Sequence, residues 1–158
     1  MMRDRVFASS DKSDLFEKLS KTKQKNDEWL FENNKDIFLF AVALGWKYKK
    51  RIPLKKRQTE IPLAVFQKSR DNIHYIDLIA LAENRDVYIL NWDDEKKVEE
   101  KLLIVEEYAN GGLEVLRNKL FNSSGHLYDN LLLLVKETCG AKQVVDNLTD
   151  IDELVGML

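Results

Sequence analysis

The chain has 158 residues, 44% apolar and 33% charged, and its 25 Lys and Arg against 27 Asp and Glu give a net charge of −2. This length suits one domain around one core, and the apolar content excludes a disordered chain. One cysteine, Cys139, excludes an intrachain disulfide, and the longest apolar run, residues 37–44, is far shorter than the about 20 residues of a membrane-spanning helix. We therefore expect a cytoplasmic protein with neither a membrane span nor an export signal.

The N-terminal part predicts two helices separated by a loop. Ser13 can cap a short amphipathic helix, and residues 21–27 are polar enough to form the loop. Asn34 can cap the second helix, and Gly45 is placed to end it in the left-handed conformation. Between these two residues IFLFAVAL is apolar on every face, which is typical of a helix at the centre of a bundle or half covered by a partner subunit.

An Ile-Pro-Leu unit occurs twice, in RIPL at 51–54 and in EIPL at 60–63. Each proline forces the preceding isoleucine out of the helical region. Two short extended arms joined by KKRQT would follow, limited by the prolines to edge or irregular pairing. The repeat predicts a short β-like ribbon or hairpin around residues 51–66, and a coincidental repeat within a loop explains it equally well.

Helical patterns return after this segment. Residues 71–82 carry a wide apolar stripe, and 85–92 have the composition of a short strand or a frayed helix end. Asp93 or Asp94 can cap a long helix, in which the pair Gly111 and Gly112 indicates either a kink or the close approach of another backbone.

A further helix is predicted over residues 127–139, followed by one or two short helices. The fold class that we predict is mainly α, a single-domain helical bundle with a short ribbon. Residues 1–140 would form the helical domain, and residues 141–158 a short C-terminal helical appendage.

Catalytic and cofactor motifs are missing from the sequence. The two histidines, His74 and His126, and Cys139 lack the paired spacing of a zinc site, and no phosphate-binding glycine motif occurs. The acidic residues between 93 and 107 alternate with lysines, which is typical of a solvated, ion-paired helix face. We expect a noncatalytic protein without a metal or cofactor.

The segment KYKKRIPLKKR, residues 47–57, concentrates positive charge. Without its seven cations the chain keeps 18 basic and 27 acidic residues, a net of −9. If these side chains project free of the chain's own carboxylates, they can neutralise DNA phosphates without reading sequence. Trp46 and Tyr48, interleaved with the charges, would either stack on bases or pack under the loop. Two alternatives stay open, an acidic protein surface as partner and a solubilising loop without any partner. The candidate nucleic-acid-binding residues are Lys47, Lys49, Lys50, Arg51, Lys55, Lys56, Arg57 and Tyr48.

Five segments in order resemble one family: RDRVF, KDIFLFAVALGWK, RIPL, VEEYANGGLEVL and DNLLLLV. Over residues 3–135 the chain is similar to DNA phosphorothioation-associated protein 4, small bacterial proteins encoded beside DNA sulfur-modification (dnd) loci. The resemblance implies a cytoplasmic accessory of a restriction-modification system in phage defence, with DNA and other subunits of that system as partners. It implies no catalytic residues. A protein-protein adaptor without direct DNA binding is the alternative function, and self-association into a homo-oligomer stays open.

Overall fold

A computed structural model describes residues 1–20 and 30–140. Within them the chain forms six α-helices and one two-stranded antiparallel sheet, which confirms the predicted fold class. The elements are β1 (Arg5–Ser9), α1 (Ser13–Leu19), α2 (Asn34–Lys47), β2 (Arg57–Pro62), α3 (Leu63–Gln67), α4 (Arg70–Asn84), α5 (Glu95–Leu116) and α6 (Leu127–Cys139). None of the helices in the described ranges combines the length and the hydrophobicity that crossing a membrane requires.

The chain divides into two compact units, Met1–Arg117 and a second that begins at Asn118. The first contains both strands and helices α1 to α5, and the second contains α6. The boundary that we predicted at residue 140 stays a prediction. The predicted loop at 21–27 and the helices predicted within 141–158 lie outside the described residues.

Helices α2 and α5 form the most extensive helix pair of the first unit. The apolar run IFLFAVAL supplies the centre of this core, as the sequence predicted. Its buried residues are Ile37, Phe38, Ala41, Val42 and Leu44, and those of α5 include Val98, Leu102, Val105 and Leu113. Of the two predicted alternatives, α2 is therefore largely a helix at the centre of the bundle, because other parts of the same chain cover most of its apolar surface.

The ends of α2 differ from the prediction at both termini. Asn33 caps the helix in place of Asn34, because its side chain accepts a hydrogen bond from the Asp36 N–H at 3.0 Å. The prediction that Gly45 ends the helix is wrong, since α2 continues to Lys47. A Cβ at Gly45 would overlap the carbonyl oxygen of Tyr108 on α5, so this glycine permits close helix packing.

The glycine pair in α5 has the same role. The helix runs without interruption through both residues, and a Cβ at Gly112 would overlap the carbonyl oxygen of Ala41 on α2. Of the two predicted alternatives, the close approach of another backbone is the one observed. Asp94 caps α5, as predicted for one of two neighbouring aspartates, by accepting hydrogen bonds from the backbone N–H groups of Lys96 and Lys97.

Smaller predictions were wrong in detail. Ser13 is the first residue of α1 and does not cap it, because Lys12 occupies the cap position. Residues 85–92 contain a 3₁₀ helix, Val87–Leu90, which is neither the predicted strand nor a continuation of α4.

The sheet joins distant parts of the chain. Strand β2 lies inside the predicted ribbon, but its antiparallel partner is β1 and not residues 51–54, with Val6 opposite Ile61. Both of these side chains are buried, so the strand pair is fixed by the core beneath it. Residues 51–54 form no strand, because their backbone groups are bonded to α5 instead, and residues 63–66 of the predicted ribbon belong to α3.

Candidate nucleic-acid interface

The backbone of the basic segment, residues 47–57, is held against α5. The Ile52 N–H donates to the carbonyl oxygen of Glu107 at 3.1 Å. In return, the Asn110 side-chain amide donates to the carbonyl oxygens of Ile52 and Pro53 at 3.2 and 3.1 Å. Because its polar backbone groups are used inward, the segment is a fixed platform for the side chains that point outward.

The rest of the segment is anchored at both sides. A Cβ at Gly111 of α5 would overlap the carbonyl oxygen of Lys50, so only glycine allows the backbone to lie this close. Near the end of β1, the Lys55 N–H donates to Ser9 Oγ at 3.1 Å, and the Ser10 N–H donates to the carbonyl oxygen of Lys56 at 2.8 Å. Positions 50 to 56 are thus connected to two different elements.

Arg51 is engaged by the protein itself. Its guanidinium donates to Glu107 at 2.5 Å and to Glu83 at 2.9 Å. Hydrogen bonds from the Tyr108 hydroxyl, at 2.6 Å, and from Arg51 hold the pKa of Glu83 below its usual value. Burial and the bond to Glu83 raise the pKa of Tyr108 to about 12. The expectation that Arg51 projects freely is wrong, since it ties the loop to α4 and α5.

Arg57 is engaged in a second network. It donates to Glu99 at 3.0 Å and lies over the ring of Phe7 at 5.3 Å, where Arg3 also lies at 5.2 Å. Although burial favours the protonated acid, the hydrogen bond from Arg57 and the charge of Arg3 keep the pKa of Glu99 below its usual value. The Arg57 guanidinium therefore has a carboxylate partner and a ring contact within the fold, although its side chain is 44% exposed.

The five lysines of the segment are bound less tightly. Lys50 lies 3.7 Å from Glu114, and Lys55 lies 3.6 Å from Asp11. Lys47, Lys49 and Lys56 are exposed and form no ion pair with any residue of the described ranges. The number of unpaired cations is thus smaller than the seven expected, and these three lysines are the ones without an ion pair in the part of the chain that the structure describes.

A cleft of about 520 Å³ opens beside the segment, at the C-terminal ends of α2 and α4. Trp46 and Tyr108 meet in it edge to face, with ring centroids 5.3 Å apart. Of the two aromatic residues that the sequence interleaves with the charges, Trp46 lines the cleft, whereas Tyr48 is 41% exposed and does not. The lining residues are Trp46, Lys47, Lys49, Ala82, Glu83, Arg85 and Tyr108.

The sequence analysis missed four of these lining residues, namely Ala82, Glu83, Arg85 and Tyr108. Arg85 follows α4 with a left-handed φ of 60°, and Tyr108 lies within α5. No local pattern relates them to the basic segment, because the packing of three helices brings them together. The end of the apolar stripe near residue 82 was the single signal that a helix terminus lies there.

Two buried charged groups belong to the core and not to the cleft. The Lys101 ammonium is fully buried, 2.5 Å from Asp77 and 3.8 Å from the centre of the Trp92 ring, and burial lowers its pKa. Glu106 is also fully buried and is paired with Arg3, and burial raises the pKa of its carboxyl to about 7. Such pairs stabilise only as long as both partners are present.

These features define a small, mainly helical protein that presents a short cationic loop on a rigid helical scaffold. The family described as DNA sulphur modification system-associated protein 4 matches residues 5–153, and the chain belongs to this family. The resemblance stated from the sequence is confirmed, and the match extends beyond residue 135, where that resemblance ended. No match was found among curated proteins or among solved structures. The protein is therefore an associated component of a DNA sulphur modification system.

Proposed function

We propose that this protein is a noncatalytic, cytoplasmic accessory of a DNA phosphorothioation system in phage defence, and that its basic segment contacts DNA phosphates. The observation that carries the proposal is the group of three exposed lysines, Lys47, Lys49 and Lys56, which form no ion pair with the described residues. A polyanion is the natural partner of such a group, and DNA is the polyanion of the system to which the family belongs.

The set of contacting residues is narrower than the sequence suggested. Arg51 and Arg57 are held by the chain's own carboxylates, so a phosphate would have to displace charge-assisted hydrogen bonds. Lys50 and Lys55 can exchange more easily, because a single long surface ion pair contributes little, about 0–1 kcal/mol. Three to five lysines are then available, and binding would be independent of sequence.

The salt dependence of binding to duplex DNA tests this function. Three neutralised phosphates give a slope of log K against log salt of about −2.7, and five give about −4.5. Lys56→Ala is expected to make this slope less steep by about 0.9. The matched control is Lys96→Ala, which removes the same charge from an exposed site outside the basic segment, at the start of α5. This lysine lies about 18 Å along the helix from Tyr108, so it also serves as a control for sites near that tyrosine.

Fluorescence anisotropy of a labelled duplex, measured from low to moderate salt, gives both slopes. The proposal is supported if Lys56→Ala flattens the slope while Lys96→Ala leaves it unchanged. Equal slopes for the two variants, or absence of duplex binding at low salt, would refute it.

One observation favours an adaptor function as the second candidate. In α6 the side chains of Leu132 and Leu133 are 41% and 58% exposed. Exposed leucines on adjacent positions of a helix suit contact with another subunit of the modification or restriction complex. Co-purification of such a subunit from the native host, lost with Leu133→Ser and retained with Lys56→Ala, would support the adaptor.

A further inference from the structure

The cleft at the ends of α2 and α4 combines two chemistries on one concave surface. Its volume of about 520 Å³ lies within the roughly 300–1,000 Å³ of typical small-molecule sites. Its lining includes two aromatic rings, Trp46 and Tyr108, which we call the aromatic wall, and three cations, Lys47, Lys49 and Arg85, which we call the rim. A planar ring joined to a phosphate is the ligand class that uses both.

The aromatic wall is prepared for stacking. Trp46 is 36% exposed, so part of its indole surface is open to solvent. Its ring is kept in place by the edge-to-face contact with Tyr108, which is itself buried and bonded to Glu83. A ring held in this way loses little side-chain freedom when a base stacks on it.

The charge of the cleft favours an anion. Lys47, Lys49 and Arg85 are exposed and form no ion pair with the described residues, apart from the through-space attraction between Arg85 and Glu83. Glu83 is the one carboxylate of the lining, and Tyr108 and Arg51 already donate hydrogen bonds to it. Its charge is thus largely compensated, and three cations remain for a phosphate group.

Two cations of the rim have an unusual backbone. Lys49 and Arg85, with φ of 52° and 60°, are the non-glycine residues of positive φ in the described ranges, and both lie in this cleft. Arg85 is the residue that ends α4, a position where glycine is the usual choice because other residues are strained there. The chain thus has a cation at each of two positions where glycine would relieve backbone strain. Strained residues are concentrated at binding sites, so this arrangement favours a role of both cations in binding.

We propose that this cleft binds one unpaired nucleotide, with its base against Trp46 and its phosphate among Lys47, Lys49 and Arg85. The inference deepens the proposed function, on which it rests for the choice of DNA as the source of that nucleotide. The same chemistry is present in a single strand and in a free nucleotide, and the two sources are separated by experiment.

Three probes distinguish the possible ligands: a thymidine 12-mer, a 12-base-pair duplex and thymidine monophosphate. The 12-mer is expected to bind more tightly than the monophosphate, because it carries several phosphates and bases. Stacking on Trp46 is expected to quench part of the fluorescence of the three tryptophans, and this quenching should be lost in Trp46→Leu. Trp46→Leu is expected to weaken binding of the 12-mer about 5- to 150-fold. Trp46→Phe, which keeps a ring, is expected to weaken this binding much less. Duplex affinity is unchanged in both, since paired bases are not available.

The left-handed positions supply the sharpest variants. Lys49→Gly and Arg85→Gly remove a cation and at the same time relieve the backbone, so the melting temperature is expected to stay equal or to rise. Affinity for the 12-mer is expected to fall about two- to fivefold in each. Lys96→Ala, the control distant from the cleft, should change neither quantity.

The outcomes separate this inference from the proposed function. One outcome is that the duplex binds, that no probe quenches the tryptophan fluorescence, and that Trp46→Leu leaves the affinity for the 12-mer unchanged. This outcome overturns the nucleotide site in the cleft and supports the contact of the basic segment with duplex phosphates. Quenching by the monophosphate or 12-mer without duplex binding supports the cleft and overturns the duplex contact. Failure of all three probes to bind overturns both.

Discussion

Replacing Arg51 tests whether this cation of the basic segment stabilises the fold or contacts the partner. Its two hydrogen bonds to Glu107 and Glu83 have lengths of 2.5 and 2.9 Å, and its side chain is one-third exposed. A bond to a charged group contributes roughly 1.5–3 kcal/mol when buried and an exposed pair about 0.2–1 kcal/mol. Because this site lies between the two cases, we expect Arg51→Met to lower the free energy of unfolding by about 1–3 kcal/mol.

The variant is compared with Lys56→Met, which removes the same charge from the same segment. For a chain of this size each kcal/mol shifts the melting temperature by about 2–4 °C, so thermal unfolding resolves the difference. Arg51→Met should melt lower with an unchanged salt slope for DNA, whereas Lys56→Met should melt normally with a flatter slope. Coupling with Glu107→Gln in a double-mutant cycle isolates the pair. If Arg51→Met keeps full stability and flattens the salt slope as Lys56→Met does, the division between structural and binding cations is incorrect.

Three further predictions concern the core. Because burial raises the folded pKa of Glu106 to about 7 from an ordinary 4.5, its contribution to stability is complete below pH 4.5 and is lost as the pH rises to 7. Between pH 4.5 and 7 the free energy of unfolding should therefore decrease by up to about 3 kcal/mol more in the natural protein than in Glu106→Gln. Urea unfolding at several pH values measures this difference, and the same pH dependence in both proteins would contradict the prediction. In an exposed helix, replacing glycine by alanine stabilises by about 1 kcal/mol. Gly112→Ala should instead lower the free energy of unfolding by about 1–3 kcal/mol, because the new Cβ would overlap the backbone of Ala41. A raised melting temperature would show that the two helices do not approach this closely. Lys101→Met leaves Asp77 without its cation and should cost about 3 kcal/mol in urea unfolding; no recovery upon adding Asp77→Asn would argue against a charge effect.

The interface could be predicted from sequence only in part. The local charge density of residues 47–57 identified the segment, and three of its lysines are exposed and unpaired among the described residues. The pairing of Arg51 with Glu83 and Glu107 was not predictable, since the partners lie 32 and 56 positions away along the chain. The cleft was missed for the same reason, because Arg85 and Tyr108 reach it through helix packing.

Local physics determined much of the fold from the sequence alone. Apolar periodicity identified the helices other than the short α3, and the cap of α5 was narrowed to Asp93 or Asp94, because each turn is stabilised by residues a few positions apart. Only the tertiary structure decided the partner of β2, which is β1 some 50 residues earlier. It also decided the role of Gly45, which does not end α2 but allows α5 to pack closely against it. Those choices depend on which surfaces meet in the core, and the free energy of such contacts is set by residues that are distant in sequence. For the same reason, the sequence determined how much positive charge the loop carries, whereas folding decided which of those charges remain free.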